Sequence, residues 1–309
     1  MKAIVCTRYG PPDVLQLREM ETPAPRHDEA LIRIHATAVT PSDCIVRAAR
    51  LPAWHPMGFM MRVAIGFTKP RQPILGIVLA GEIEALGKDV NTFRKGDPVF
   101  GWDLFPAFGC YAEYKCMSAK GMLAIKPANV TYDEAAAVPY GGLLALHLLR
   151  KGGLRSGQQV LIYGASGAVG TSAVQLARHF GARVTGVCSG ANLELVKSLG
   201  AEAVIDYTEE DLAHGAERYD CVFDAAGKSK SSKLKSSVQE VMAPSGRYVS
   251  IDDGRPDVHV EDLVLLRELV ETGEIRPVID RRYPLEQMAE AHGYVEQGHK
   301  KGNVVIAIE

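Results

Sequence analysis

No stretch of this 309-residue chain stays apolar for the roughly 20 residues that a bilayer-crossing helix needs, so no membrane span is expected. Charge of one sign is not in surplus either: 35 Lys and Arg stand against 37 Asp and Glu, a formal net charge of −2. Without a basic face, binding to nucleic acid or to an anionic membrane has no electrostatic footing. The one basic run, Lys228 to Lys235 inside the serine-rich Lys228 to Ser237, reads as the solvated start of a helix. Cysteines number six, and Cys6, Cys44, Cys110, Cys116, Cys188 and Cys221 form no CxxC pair and no zinc-like cluster. Four of them lie in or beside apolar runs, where a free cysteine is ordinarily a small buried hydrophobe, and a reducing cytoplasmic setting fits. Met1 to Arg8 is too short an apolar run for a signal peptide and reads as a first strand.

What is present is ordinary in bulk and specific in one place. Apolar residues make up 47% of the chain, and its length suffices to bury about three quarters of the unfolded surface in one large or two ordinary domains. In the specific place, Gln159–Tyr163 is an apolar run with branched residues that reads as a buried strand. GASGAVG, Gly164 to Gly170, follows at once, and Thr171 to Ala177 sets small and apolar residues at helical spacing. A helix that starts on such a turn aims unpaired N–H groups and the positive end of its dipole at whatever lies above it, which suits a pyrophosphate. Gly167 and Gly170 let the backbone approach the phosphates and pack the helix on the sheet, so Gly164, Ala165, Ser166, Gly167, Ala168, Val169 and Gly170 are candidate cofactor contacts. Further strands are expected at Arg183–Cys188, Ala203–Asp206, Tyr219–Asp224 and residues 246–251, with helical segments between them. That alternation implies parallel strands and right-handed crossovers, a doubly wound α/β dinucleotide domain.

The end of the second strand selects the cofactor. A site for NAD places an Asp or Glu about 20 residues into the unit to bind the ribose 2′-hydroxyl, and that carboxylate repels a 2′-phosphate. Here the residues are Cys188-Ser189-Gly190-Ala191-Asn192, with no acid. Ser189, Asn192 and Tyr207 offer hydrogen bonds to a phosphate, which favours NADPH, although the pentapeptide holds no Arg or Lys.

Ahead of this domain, the segments Ala3-Ile4-Val5-Cys6, 30–36, 81–87 and 111–114 alternate apolar and polar residues between Gly and Pro, the pattern of a mostly antiparallel, barrel-like unit. Pro52 to Pro73 differs, carrying Trp54, Met57, Phe59, Met60, Met61 and Phe67; it reads either as core-covering structure or as an apolar lid over a substrate pocket. After the dinucleotide domain, Val260–Glu271 is a helix with leucines at helical spacing, a second helix begins near Pro284, and residues 303–308 form a closing strand that returns to the first domain. The expected division is 1–126 with 272–309 for the strand-rich unit and 127–271 for the dinucleotide unit.

This order of parts, with MKAIV, YGPPDVLQL, VTPSD, AGEIEALGKDV, KGDPVFG, YAEY, AAAVPYGGLLAL, GASGAVG, YPLEQMAEAH and GHKKGNVVI spread nearly end to end, resembles the medium-chain dehydrogenase/reductase superfamily and within it the zinc-free quinone oxidoreductase branch. The resemblance implies a GroES-like catalytic domain, a mostly antiparallel β-barrel, beside a Rossmann domain, with the nicotinamide between them. It extends the cofactor contacts to Ala226, Ser250, Ile251 and Asn303, and it implies that Thr40 and Tyr140 line the nicotinamide site as catalytic candidates. It also implies a homodimer, although the chain between residue 251 and Val260 is shorter than in many relatives. Two positions depart from the pattern: Thr40 replaces an asparagine, and Leu144 a threonine that touches the carboxamide.

At the three positions where the zinc-dependent alcohol dehydrogenases of the resembled superfamily carry their metal ligands, this chain has Thr40, Ile77 and Tyr140. Zinc takes cysteine, histidine or carboxylate, so no metal is expected. Without a Lewis acid, a plain alcohol is a poor substrate, whereas a quinone or conjugated enone accepts hydride readily because the charge spreads to a remote oxygen. An NADPH-dependent reductase of such acceptors is the leading reading; an NADPH-binding regulatory protein and an alcohol dehydrogenase remain as alternatives. Tyr111-Ala112-Glu113-Tyr114-Lys115 spells the YxxxK pair of short-chain dehydrogenases, but in strand-like sequence residues i and i+4 stand about 13 Å apart. It reads as a decoy.

Overall fold

The computed structural model describes residues 1–49, 56–103, 107–209, 218–227 and 231–308. Its contacts divide the chain into two units, Met1–Pro139 with Ile279–Glu309, and Tyr140–Val278. The first unit opens with strands β1 (Lys2–Cys6), β2 (Leu15–Glu19), β3 (Glu29–Val39), β4 (Val78–Leu86), β5 (Pro98–Trp102), β6 (Tyr114–Ser118) and β7 (Leu123–Ile125). Three helices interrupt or follow them: α1 (Pro41–Ala48), α2 (Pro56–Ile65) and α3 (Tyr132–Ala136). β3 alternates in burial only over Ile32 to Ala36 and is buried on both faces at Ala30 to Ile32 and Ala36 to Val39; its eleven residues are long enough for one of its edges to pair with β4 while the other passes from β6 to the chain's last strand.

In the second unit, α4 (Pro139–Lys151) leads into β8 (Gln159–Tyr163), α5 (Ala168–His179), β9 (Arg183–Cys188), α6 (Leu193–Ser198) and β10 (Ala203–Asp206). β11 (Tyr219–Asp224), α7 (Ser232–Val241), β12 (Met242–Ser250) and α8 (Val260–Glu271) complete it. The five strands are all parallel, in the order β10-β9-β8-β11-β12. Helices cover both faces of such a sheet, which is why β8 reads as an uninterrupted apolar run and why Val160, Leu161 and Ile162 are wholly buried. The strand order reverses between β8 and β11, and in open α/β sheets ligands bind outside the carboxyl ends of the strands at that switch.

The chain returns to the first unit with β13 (Ile279–Pro284), α9 (Met288–Glu296) and β14 (Asn303–Ala307). The resulting seven-stranded sheet runs β13-β14-β3-β4-β5-β7 with β6 also on β3, antiparallel apart from the β13–β14 pair. The contacts divide the units at 139/140 and 278/279, and α3, packed on β3 and β4, lies with the first unit. Among the described residues, no helix is long and apolar enough to cross a membrane.

Of the apolar segment Pro52 to Pro73, Trp54 lies outside the described residues, and nothing is assigned to the side chains of Met57 and Met61. Phe59, Met60, Val63 and Phe67 are exposed while Ile65 is buried, so α2 turns much of its apolar surface outward instead of into the core. Arg62 fastens the helix to the unit, donating to the carbonyls of Ala49 and Phe67 and stacking over Tyr9.

Candidate functional site

At the head of β8, Gly164 turns the chain with φ 78°, and Gly167 is the N-cap of α5. No side chain caps that helix and its first turn holds no acid, so its N-terminal amides face outward with their dipole uncompensated. The space for a ligand is built by missing Cβ atoms. One on Gly170 would fall onto the Gly164 carbonyl oxygen and within 2.7 Å of Ala165 Cα, whereas one on Gly167 would have only the Gly164 carbonyl oxygen near it, at 3.6 Å. Gly170 is thus committed to packing α5 on the turn, and Gly167 to leaving the approach clear. Tyr140, buried at the start of α4, lies next in sequence to Gly141, whose own missing Cβ lets α4 press on the Ala168 carbonyl. Tyr140 is therefore brought to the N-terminal end of α5, and Leu144 follows one turn along α4.

The other wall of the switch is organised by Asp224, a residue the sequence reading counted only as the end of a strand. Wholly buried, its carboxylate accepts from the backbone N–H of Ala226 (3.0 Å) and Gly227 (2.9 Å), from the hydroxyls of Ser231 (2.7 Å) and Tyr248 (2.8 Å), and at 3.5 Å from Ser250. Burial, with this carboxylate next, pushes the Tyr248 hydroxyl up to about 12, so it stays a donor. Ala226 and Ser250, two candidate contacts, are thereby held at the carboxyl ends of β11 and β12, and Ile251 N–H is tied to the Asp224 carbonyl at 3.1 Å. A Cβ on Gly164 would lie 3.1 Å from Ala226 N, so the glycine turn and this loop flank one crevice. An Asp closing a strand just before Ala-Ala-Gly was the available signal.

At the end of β9, Asn192 Nδ2 donates to Ser166 Oγ (3.2 Å) and Ser189 Oγ (3.1 Å), joining the strand end to the glycine turn. Tyr207 stands close by, its backbone N–H on the Cys188 carbonyl and its ring 6.0 Å from that of Tyr163. The structure adds what the order of residues hid. β10 runs parallel to β9 with Asp206 beside Cys188, so an acid does reach this strand end, from the neighbouring strand.

Thr40 and Asn303 belong to the first unit. Val304 pairs with Val39 across β14 and β3, and Asn303 and Thr40 are each the next residue beyond that pair, at one end of the two strands. Thr40 caps α1: its hydroxyl donates to Asp43 Oδ2 at 2.7 Å, its backbone N–H donates to the same oxygen at 2.9 Å, and its Oγ accepts from Asp43 N–H at 3.3 Å. Behind it lies a buried polar chain. His292 Nε2 is 3.2 Å from the Tyr111 hydroxyl, and its Nδ1 is 3.4 Å from Cys44 Sγ. Asp43 Oδ1 has no partner in hydrogen-bond geometry, although the Tyr111 hydroxyl and Gly76 amide lie near enough to favour its ionised form. The YxxxK residues do not act together: Tyr111 meets His292, while Lys115 pairs with Asp103 at 2.7 Å and donates to the Phe108 carbonyl.

Burial dominates the titration of this chain, lifting Asp43 from 3.8 to about 6 and lowering His292 from 6.5 to about 3. The signs oppose. Ionising Asp43 costs stability as pH rises from about 4 to 6, whereas keeping His292 neutral costs stability as pH falls from about 6.5 towards 3, each near 1.4 kcal/mol per pH unit. Wild type should therefore be nearly level in this respect between pH 4.5 and 6, and Asp43→Asn should lose about 2 kcal/mol more than wild type as pH falls from 6 to 4.5. Urea midpoints at the two pH values check this, and parallel curves for the two proteins would refute it.

Thr40, Ile77 and Tyr140, the residues expected at the zinc-ligand positions, are not of types that bind zinc well, and among the described residues no group of three or more His, Cys, Asp or Glu can hold a metal. All six cysteines are free, and burial raises the thiols of Cys6, Cys116 and Cys188 to about 11, that of Cys221 to about 12, and that of Cys110 further. None of these five is a ready nucleophile.

Comparison with known proteins agrees with the two-unit fold. Residues 26–139 match the alcohol dehydrogenase GroES-like domain family, and residues 168–282 match the zinc-binding dehydrogenase family. A 2-methylene-furan-3-one reductase of Solanum lycopersicum is 34% identical, the match covering 99% of this chain and 79% of that protein. An NADPH-dependent alkenal/one oxidoreductase of Arabidopsis thaliana, chloroplastic, is 32% identical with the same coverage. Among solved structures, the quinone oxidoreductase from Coxiella burnetii superposes with a TM-score of 0.84 at 30% identity, covering 100% of this chain and 99% of that one.

Proposed function

Because this chain belongs to the quinone oxidoreductase-like branch of the medium-chain dehydrogenase/reductase superfamily, we propose that it is an NADPH-dependent reductase of α,β-unsaturated carbonyl compounds and quinones that works without zinc. The observation that carries the proposal is the start of α5: an uncapped helix N-terminus free of acid, at the switch point of a parallel sheet, over a glycine whose absent Cβ leaves the approach open. Those features fit a dinucleotide pyrophosphate. When bound, the reduced nicotinamide supplies the hydride.

The chain's own residues do the rest. The Gly167–Gly170 amides hold the diphosphate, and the loop fastened by Asp224 presents Ala226, Ser250 and Ile251 along the crevice. Thr40 has its hydroxyl proton committed to Asp43, so it serves as an acceptor and not as an acid. Tyr140, the other catalytic candidate and buried beside the start of α5, is assigned the role of donating to the oxygen on which charge collects. Conjugation carries that charge to a carbonyl oxygen remote from the attacked carbon, so hydrogen-bond donors suffice and the Thr40, Ile77 and Tyr140 set is not a handicap. An enone is favoured over a quinone because the two plant relatives are named for substrates of that kind.

The test is NADPH consumption by dialysed, chelator-treated protein with a panel of alkenals, enones and quinones. Turnover is expected to survive chelation, and Tyr140→Phe should lower kcat about a hundredfold with NADPH affinity unchanged. Tight NADPH binding with no turnover on any acceptor would instead make the protein a nucleotide-responsive regulator, and unchanged turnover in Tyr140→Phe would remove that residue from the mechanism.

A further inference from the structure

Behind Thr40 the first unit buries a run of polar side chains, Asp43, Cys44, Tyr111 and His292. Both Thr40 donors go to Asp43 Oδ2, so the wholly buried Oδ1 depends on what else lies near it, the Tyr111 hydroxyl and the Gly76 amide. A buried carboxylate oxygen left without a donor is costly. Tyr111 is fixed in place for that task. A Cβ on Gly76 would stand 2.5 Å from its ring, its N–H donates to the Leu75 carbonyl, and its carbonyl accepts from the Ile4 N–H.

Where the Tyr111 proton points depends on His292, which α9 brings against α1. Burial keeps this imidazole neutral, with Arg47 adding to the effect, so one ring nitrogen donates and the other accepts. With its proton on Nδ1, the ring donates to Cys44 Sγ, a weak acceptor at 3.4 Å, and Nε2 draws the Tyr111 proton away from Asp43. With its proton on Nε2, His292 donates to the Tyr111 oxygen at 3.2 Å, Tyr111 donates to Asp43, and the Cys44 thiol donates to Nδ1. Cys44 has the His292 carbonyl at 3.9 Å in either case, so the choice falls to Asp43, and a carboxylate gains more from a donor than a thiol does. The full charges nearby are matched: Arg47 by Glu296, and Lys115, which acts on Cys110, by Asp103.

We propose that His292 and Tyr111 are positioning residues for the reduction: donors run one way, from Cys44 through His292 and Tyr111 to Asp43, and hold that carboxylate as the acceptor that turns the Thr40 hydroxyl proton inward and its lone pairs towards the ligand. The proposal deepens the reductase reading and rests on it.

Two measurements on the full chain test it. Imidazole nitrogen NMR, with His292 assigned by its loss in His292→Gln or His292→Asn, should show a neutral ring protonated on Nε2 between about pH 8 and 5, and protonation on Nδ1 overturns the inference. That measurement needs no turnover. In the NADPH-dependent reduction of an enone, Tyr111→Phe should lower kcat/KM about tenfold, and Thr40→Val combined with Tyr111→Phe should fall no further than Thr40→Val alone, because the chain of donors acts through Thr40. Losses that add would make Tyr111 a packing residue and end the proposal, while the reductase reading would stand. Tyr111→Phe keeps the ring beside Gly76, and if it is nevertheless unstable the tautomer decides the case. If no acceptor is turned over, the reductase reading fails and the positioning role with it, whatever the tautomer.

Discussion

Asp224→Ala is expected to cost at least about 4 kcal/mol of unfolding free energy, since it strands several buried donors at once and each carries a penalty of roughly 1 to 3 kcal/mol that does not add fully. Those donors are the Ala226 and Gly227 amides and the hydroxyls of Ser231, Tyr248 and Ser250. Asp224→Asn should be milder, about 1 to 2 kcal/mol: its oxygen can still accept from the two amides, and two of the three hydroxyls can rotate to accept from its NH2 group. The ordering separates a carboxylate that holds a loop in place from one that merely fills space. NADPH affinity should follow the same order, because the loop carrying Ala226 faces Gly164 across the crevice. Denaturant titration and calorimetry measure both quantities, and an alanine variant within about 1 kcal/mol of wild type would show that Asp224 does not organise this wall.

Two glycines three residues apart should fail in opposite ways. Gly170→Ala places a methyl group onto the Gly164 carbonyl and against Ala165, backbone atoms with nowhere to go, so a loss of about 3 kcal/mol or more in stability is expected. Gly167→Ala meets only one atom, at 3.6 Å, and Gly167 has φ −80°, which alanine adopts freely, so the folded state should scarcely notice it. The methyl group instead occupies the approach to the first amides of α5, and NADPH affinity should fall at least about tenfold, near 1.4 kcal/mol. Thermal unfolding without nucleotide, set beside nucleotide titration, distinguishes the two. If Gly167→Ala bound NADPH as tightly as wild type, the pyrophosphate would not lie over that residue.

Much of the site was legible before any coordinate was known, and the reason is locality. Apolar runs, turn glycines and helical spacing are properties of neighbours in sequence, so β8 was expected at the residues where it is found, and α5, expected over Thr171 to Ala177, runs from Ala168 to His179. The closing strand was placed at residues 303–308 and ends one residue sooner, at Ala307. Where the strand-rich unit ends was harder to read, because α3 is helical in sequence and joins the first unit only through its packing on β3 and β4.

The candidate residues divide along the same line. Gly164 to Gly170, Ser189, Asn192 and Tyr207 could be named from spacing alone, and in the fold Asn192 does reach both Ser166 and Ser189. Sequence spacing also suggested that the strand end carried no acid, and there it fell short: parallel pairing sets Asp206 level with Cys188, eighteen positions away in the chain. Thr40 was recognisable as a candidate, but the direction of its hydroxyl was not, since that depends on Asp43 being buried three residues on.

Order along the chain, then, was enough to establish a parallel dinucleotide unit joined to an antiparallel one, because periodicity and turn chemistry act over a few residues. Which carboxylate fastens the loop after β11, which one comes level with the end of β9, and which hydroxyl donates to Asp43 were decided by tertiary contact alone. Hydrogen bonds and charges act over a few ångströms of space, and only the pairing of distant strands brings those groups within reach of one another.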